Sequence, residues 1–341
     1  MTCVEPIEGD LPAKALRVEG SAHTTVIDPP WWCSQNELVA HRTDACEVRG
    51  LVDRVYRKRG NGPWVQTGEL KLSVFSYAYM STVSPFWAHM IYVSAYDGWG
   101  DTITLGTSVE GVASKSGACS RQLSNFPLQP VTPLFTRAVG ESSFKSTATA
   151  SGAVGTCTTA WTLRMSTPTY NSSDTISYPM TPIRCDNATA GTTTPGCVVP
   201  WYASAVYYSL SSYPTLAMHV IGAQASGLPG DSFDDPLTRT TNQFVIDLNR
   251  QLACGDAPSI PGWSCDEYPP ATSYQGLSLG GERRTQGGCQ FPNLPRQTGA
   301  TGVSVCMIVD TENSAQGGLH AQFFRDHRIL DSDRFRVLIS N

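Results

Sequence analysis

The chain is short of charge. Asp, Glu, Lys and Arg make up 16% of its 341 residues, against a usual ~25%. Lysine is scarcest, with five in all and none between 228 and 341. Apolar residues reach 40%, which excludes a disordered polyelectrolyte. So little lysine excludes a coiled coil, which is built on Glu, Lys and Leu. The net charge of −5 excludes a polycation that coats nucleic acid with its whole surface. Long apolar runs are missing as well. The least charged stretch, Cys197 to Ala223, is interrupted by Pro200, Pro214, His219 and four serines, so no membrane helix of ~20 apolar residues is expected there. The opening MTCVEPIEGD has no basic start and no apolar run of the signal-peptide kind. There is no CxxC pair, no Cys/His spacing of a zinc site and no repeat at a fixed period.

What is abundant is cysteine, with eleven residues. That is too many for a compartment that keeps thiols reduced, so disulfides and an oxidising location are expected. Because disulfides require export, the chain is expected to be a mature or truncated form, or to leave by another route. Pairing sequence neighbours gives Cys33–Cys46, Cys119–Cys157, Cys185–Cys197, Cys254–Cys265 and Cys289–Cys306, and leaves Cys3 over. Connectivity does not follow from order alone. Only Cys185–Cys197 has a further argument, the short Gly/Thr/Pro loop between its partners.

At roughly 100–200 residues per domain, the length implies two domains. Residues 1–30 read as irregular. From Trp31 to about Ala223 the pattern is β: Leu70, Leu72 and Val74 alternate with Lys71 and Ser73, and Trp161, Leu163 and Met165 repeat the period of two. Trp87–Tyr96 and Trp201–Leu210 are aromatic and β-rich. Clusters of Gly, Pro, Ser and Thr separate these runs, which predicts an antiparallel sandwich over 31–226. Gly227-Leu228-Pro229-Gly230-Asp231 reads as a linker. The segment 227–341 predicts a mixed α+β domain, with a helix at Thr241–Leu252, a strand at Val303–Val309, a helix at about Ser314–Asp326 and a strand at Arg334–Ile339. From 228 onward it holds 9 Arg against 13 Asp plus Glu.

Two acidic spots stand out in this half: Cys265-Asp266-Glu267-Tyr268-Pro269 and Asp310-Thr311-Glu312-Asn313. The first also reads as an ordinary turn. The second also reads as a helix cap, since Asp and Asn side chains accept from free helix N–H groups. Gly317-Gly318 is harder to dismiss, because glycine inside a helix costs ~1 kcal/mol per residue relative to Ala. It suggests close approach by another backbone or a ligand. His320 and His327 fit helix packing or surface roles, and so does His89 in the β half. Trp31-Trp32 and Trp87 read as buried core rather than as a ligand platform.

Three ordered blocks resemble the NucA/NucB family of secreted deoxyribonucleases. They are Cys265 through Gly276 (CDEYPPATSYQG), Glu312 through Gly318 (ENSAQGG), and Phe323 through Leu330 followed by Asp333 through Val337. The resemblance spans roughly 228–341, and the β half is only vaguely similar to the extension of larger members. It implies a ββα-metal core related to the His-Me finger group, with aspartate in place of the usual histidine base. On that basis Asp266 is the expected general base, with Glu267 close behind. Glu312 and Asn313 are the expected ligands of a divalent ion, Mg²⁺ or Mn²⁺, with Gln322 a lesser one. Arg325 is expected to stabilise the transition state, and Arg283, Arg284 and Arg328 to hold phosphates, although a solvated helix end also explains Arg325 and Arg328. Asp266 and the Glu312/Asn313 pair should then converge within one metal-and-water span.

The expected function is a secreted, metal-dependent, sequence-nonspecific DNA endonuclease. Its acidic domain predicts weak, salt-sensitive binding, because affinity for DNA comes largely from Lys and Arg on phosphate. No membrane partner is expected. Two other readings stand beside it. One is a nuclease toxin delivered into competitor cells and held in check by an inhibitor protein. The other is a catalytically inert adhesion or wall-binding protein.

Overall fold

A computed structural model describes residues 1–16 and 30–341. The chain divides into two compact units, Met1–Ala188 with Thr193–Val199, and Thr189–Thr192 with Pro200–Asn341. The boundary expected at Gly227 therefore falls earlier, at Pro200. The reason is pairing: the strand at Ser204–Ser209, expected to belong to the β half, runs parallel to the final strand of the chain.

The first unit is antiparallel β throughout its named strands. They are β1 (Thr2–Ile7), β2 (Val39–Ala40), β3 (Asp44–Lys58), β4 (Trp64–Met80), β5 (Phe86–Gly100), β6 (Ser108–Gly117), β7 (Cys119–Asn125), β8 (Gln129–Pro130), β9 (Arg137–Ser146), β10 (Val154–Ser166), β11 (Ile176–Pro179), β12 (Ile183–Asp186) and β13 (Gly196–Val198), with a one-turn helix α1 (Asp101–Thr104). Among the described residues they form a sheet ordered β1-β3-β4-β5-β9-β7, with β2 on β3, and a second ordered β13-β12-β10-β6-β8, with β11 on β10. The two sheets share a core. Trp161 of β10 is fully buried and donates its indole N–H to the His89 carbonyl of β5 at 2.9 Å. His89 itself bonds Ser76 at 2.8 Å and Thr159 at 3.0 Å, and burial pushes its pKa down to about 3. It is a neutral core histidine. The period-two stretch behaves as expected, with Leu70, Leu72 and Val74 all buried. Two expectations do not hold. The segment 1–30 is not wholly irregular, because β1 pairs with β3; its part from 17 to 29 lies outside the described residues. Trp31 is 95% exposed rather than core, whereas Trp87 is buried.

All five sequential disulfides are formed, and Cys3 is the free cysteine. Among the described residues no helix is long and apolar enough to cross a membrane.

The second unit is α+β. Its elements are β14 (Ser204–Ser209), α2 (Pro214–Ala225), β15 (Leu237–Thr238), α3 (Gln243–Cys254), β16 (Trp263–Tyr268), β17 (Arg283–Arg284), β18 (Val303–Val309), α4 (Asp310–Asp326) and β19 (Arg334–Ser340). One small sheet runs β14-β19-β15 and another β16-β18-β17. β18 is apolar at nearly every position because it is central and covered on both faces. Val303, Val305 and Met307 pack with Ala253 and Phe291 on one side, and Cys306 and Ile308 join the larger core of α2, α4 and β19 on the other. α3 starts at an Asn242 cap, whose side chain accepts from Phe244 N at 3.1 Å. α2 was not expected. Its residues were read as β-structure, yet Pro214 opens a helix at its first position and Leu216, Ala217, Val220 and Ala223 are buried.

Candidate active site

β16 is an edge strand. It pairs antiparallel with β18, and α4 follows β18 without a linker. α4 fastens to the open edge: the Asn313 amide donates to Ser264 Oγ and to the Cys265 carbonyl, both at 2.9 Å. Between α3, β16 and α4 lies a cleft of about 580 Å³. Gln243, Ile246, Arg250 and Cys254 face it from α3, at helical spacing. Asn313, Gln316, Gly317 and His320 face it from α4, Arg239 from the loop after β15, and Cys265 and Glu267 from β16.

Side chains alternate along a strand, so Asp266 and Glu267 meet different surroundings. Glu267 lines the cleft. Burial, then the negative charge of Asp266, push its pKa up to about 7, against the opposing pull of Arg250 and the Ala271 N–H. The Cys254 sulfur, in the Cys254–Cys265 disulfide, lies 3.5 Å from Glu267 Oε2. Asp266 is 2% exposed and points to the opposite side. Its Oδ2 meets His219 Nδ1 of α2 at 2.6 Å, and His219 Nε2 meets Ser304 Oγ of β18 at 3.1 Å.

The remaining expected residues separate into those at the cleft and those elsewhere. Asn313 is at the cleft. Both amide hydrogens point into the β16 edge, so Oδ1 is the atom it can offer. Glu312 is turned to α2, where Oε2 accepts from Thr215 N at 2.8 Å, Thr215 Oγ1 at 2.9 Å and Leu216 N at 3.0 Å. It caps a helix, as one reading of the sequence had it, but a different helix from its own. Gln322 is exposed and off the cleft. Arg325 is exposed and paired with Asp326 at 3.1 Å. Arg283 forks onto Asp256, with one bond at 2.8 Å, and also donates to the Ala253 carbonyl. Arg284 is buried and donates to the carbonyls of Ser226, Gly299 and Thr301. Arg328 is fully buried. Burial closes Arg284 and Arg328 to a phosphate, and the Asp256 fork occupies Arg283.

The cations that do face the cleft, Arg239 and Arg250, were missed. Arg250 was within reach of helical spacing from the expected Thr241–Leu252 helix. It is more than half exposed, with an ion pair to Asp247 at 3.7 Å. Arg239 stacks on Phe324, 4.1 Å from its ring centre, and donates to the Ile329 carbonyl. His320 bonds Tyr208 at 2.5 Å, and burial together with the Arg239 charge lowers its pKa to about 4. It is neutral packing, as expected. A Cβ added at Gly317 or Gly318 would meet no protein atom within 4 Å, so protein packing does not account for either glycine.

A carboxyl group held near neutrality beside cations and an amide oxygen suits hydrolysis of a phosphate ester. Residues 249–338 match the family model for deoxyribonuclease NucA/NucB, consistent with a C-terminal domain of that kind. The match supports a nuclease activity in general for this segment. The match begins within α3, so α2 and Arg239 lie outside it. No curated protein matches the chain. Among solved structures, the GAE domain of GGA2p from Saccharomyces cerevisiae is similar at 8% identity and a TM-score of 0.21, covering 37% of this chain and 96% of that one. At that level it bears on neither fold nor function.

Proposed function

We propose that the C-terminal unit is a metal-dependent, sequence-nonspecific DNA endonuclease that works outside the cell, with Glu267 as general base. The observation that carries this reading is Glu267 itself, a carboxyl group in the family-matched cleft whose surroundings raise its pKa to about 7. A base is most effective when its pKa lies near the working pH. Glu267 takes the proton of the attacking water. Arg250 and Arg239 face the substrate's phosphates, where arginine can donate in pairs. Asp266, expected as the base, is enclosed with His219 and takes a supporting place. Support for a ββα-metal core comes from the order β16, β18, α4 and from the seating of α4 on the β16 edge.

The donor chemistry fits a hard ion. Oxygen ligands are at hand, and among the described residues no group of three or more His, Cys, Asp or Glu is placed to cage a metal. Mg²⁺ or Mn²⁺ suits such a site, since Mg²⁺ keeps several waters and takes one or two protein ligands together with substrate phosphate. Asn313 would hold it through Oδ1. Glu312 has Oε2 engaged on α2 and would contribute only Oε1. Once bound, the ion supplies charge neutralisation at the phosphorane and the leaving oxygen. The five disulfides support an oxidising destination.

Plasmid nicking with Mg²⁺ or Mn²⁺, with and without EDTA, tests the reading. Wild type should cut only with metal, and Glu267→Gln should lose ~10²–10⁴-fold in rate. No metal-dependent cutting by wild type sinks the enzyme reading. Full activity in Glu267→Gln with loss in Asp266→Asn returns the base to Asp266.

A further inference from the structure

Gly317 and Gly318 are adjacent in the interior of α4. Glycine there weakens a helix relative to Ala, because it has more backbone freedom to lose. The fold supplies no reason to keep it. Neither residue has a positive φ, both are exposed, and a Cβ at either would meet no protein atom within 4 Å. One difference separates them: Gly317 lines the cleft and Gly318 does not. Gly317 follows Asn313 by four residues and precedes Ala321 by four, so the three form one row on the cleft side of α4. After Asn313, the next two members of that row carry nothing longer than a methyl group. The other helical wall is the reverse. Gln243 and Arg250 face the cleft from α3, and Arg239 joins them from the loop after β15.

We propose that Gly317 is a point of direct contact with the nucleic-acid strand: its missing side chain lets a sugar–phosphate backbone lie flat on α4 while the arginines hold the phosphates from the other side. The inference rests on the nuclease reading, and it is the same whichever carboxylate is the base. Its physical basis is the asymmetry of the two walls. Cations alone would hold an anionic strand loosely, at the end of a long side chain. A bare helix surface lets the strand seat within van der Waals reach of the α4 backbone, one turn along from Asn313. Contact at that depth fixes the height of the strand over β16, whose Cys265 and Glu267 also line the cleft. A methyl group at 317 lifts it, and a displacement of ~1 Å from productive geometry can cost ~10²-fold in rate. A contact to the backbone alone carries no sequence information, in keeping with sequence-nonspecific cutting.

The test uses the full-length chain with Gly317→Ala, Gly317→Leu and Gly318→Ala, in each of which a better helix former replaces glycine. Both Ala variants should melt about 2–4 °C above wild type. Gly317→Ala should nonetheless lose about tenfold in kcat/KM on plasmid and Gly317→Leu about a hundredfold, while Gly318→Ala stays within about twofold. A more stable protein with a weaker reaction separates a substrate contact from a structural role, because damage to the fold lowers both. Wild-type kcat/KM in Gly317→Ala overturns the proposal. An equal loss in both Ala variants overturns it too, since that traces the effect to a stiffer helix. A second readout does not depend on cutting: fluorescence anisotropy of a labelled DNA duplex, in EDTA at low salt, should show weaker binding for the two Gly317 variants and unchanged binding for Gly318→Ala. If wild type binds the duplex but never cuts DNA with metal, and only the Gly317 variants bind more weakly, the nuclease reading fails and the contact stands. If wild type cuts DNA and both Gly317 variants match it in cutting and in binding, the contact fails alone.

Discussion

Glu267 and Asp266 are covalent neighbours, yet one borders the cleft and the other is enclosed with an imidazole. The raised pKa of Glu267 has a sign that can be tested. Below about 7 the carboxyl holds its proton and cannot accept another. The rate should therefore fall about tenfold per pH unit below that point and level off above it, as read from kcat against pH at saturating plasmid. Arg250→Ala should raise KM for DNA more than it lowers kcat, since a phosphate contact serves ground and transition states alike. Asp53 in the β unit gives a third prediction. It is fully buried, neither oxygen has a hydrogen-bond partner, and burial lifts its pKa to about 7. The folded state keeps a proton that the unfolded state releases near ~4, so between those values the fold loses about 1.4 kcal/mol per pH unit. Thermal melts of Asp53→Asn should lack that loss: its melting temperature relative to wild type should climb from pH 4 to pH 7 and stay constant beyond. At this scale the candidate acids were legible, because adjacent carboxylates following a cysteine stand out in a chain with so little charge. Which of the two faces the cleft was not, because alternation says that they diverge but not which side is buried.

The elements show why α2 stayed hidden. A surface helix announces itself by a polar stripe opposite an apolar one. α2 carries no acidic or basic residue in its first or last turn, has no side-chain cap of its own, and exposes the apolar Met218 and Ile221 opposite its buried residues, so it shows no polar stripe. Its cap comes from Glu312, far along the chain, so no local pattern records it. α3 by contrast has its own Asn242 cap and was visible. Glu312→Ala should cost about 1–2 kcal/mol, from the lost cap and the N–H groups left unpaired. Hydrogen exchange should localise the effect to Thr215 and Leu216 rather than to α4. Strand β18 was legible because it lies wholly within one strong apolar pattern, whereas α4, expected from about Ser314, starts a turn earlier at Asp310. β14 misled for the opposite reason: its aromatic alternation is genuine, but its partner is the last strand of the chain, and pairing over that distance leaves no mark in the local sequence.

At the scale of the whole molecule, the five covalent links are distributed over both units, three in the first and two in the second. The two in the nuclease unit close loops with sequence separations of 11 and 17, each worth about 3 kcal/mol in a loop-entropy estimate. A dithiol reductant should lower the melting temperature of that unit by well over ten degrees and abolish cutting, because Cys254–Cys265 joins two walls of the cleft. Charge acts at the same scale. With two arginines at the cleft and a net acidic surface around them, the KM for plasmid should rise severalfold between ~50 and ~200 mM salt. The composition of the chain indicated both effects before any element was placed.

The lysines have a practical consequence. All five, Lys14, Lys58, Lys71, Lys115 and Lys145, belong to the first unit, and the unit with the cleft has none. Apart from the chain's own amino terminus, which is also in the first unit, no primary amine exists on the nuclease side. Amine-reactive dyes, biotin esters and activated resins will therefore attach to the β unit alone. Tethering through amines therefore leaves the unit with the cleft chemically unmodified.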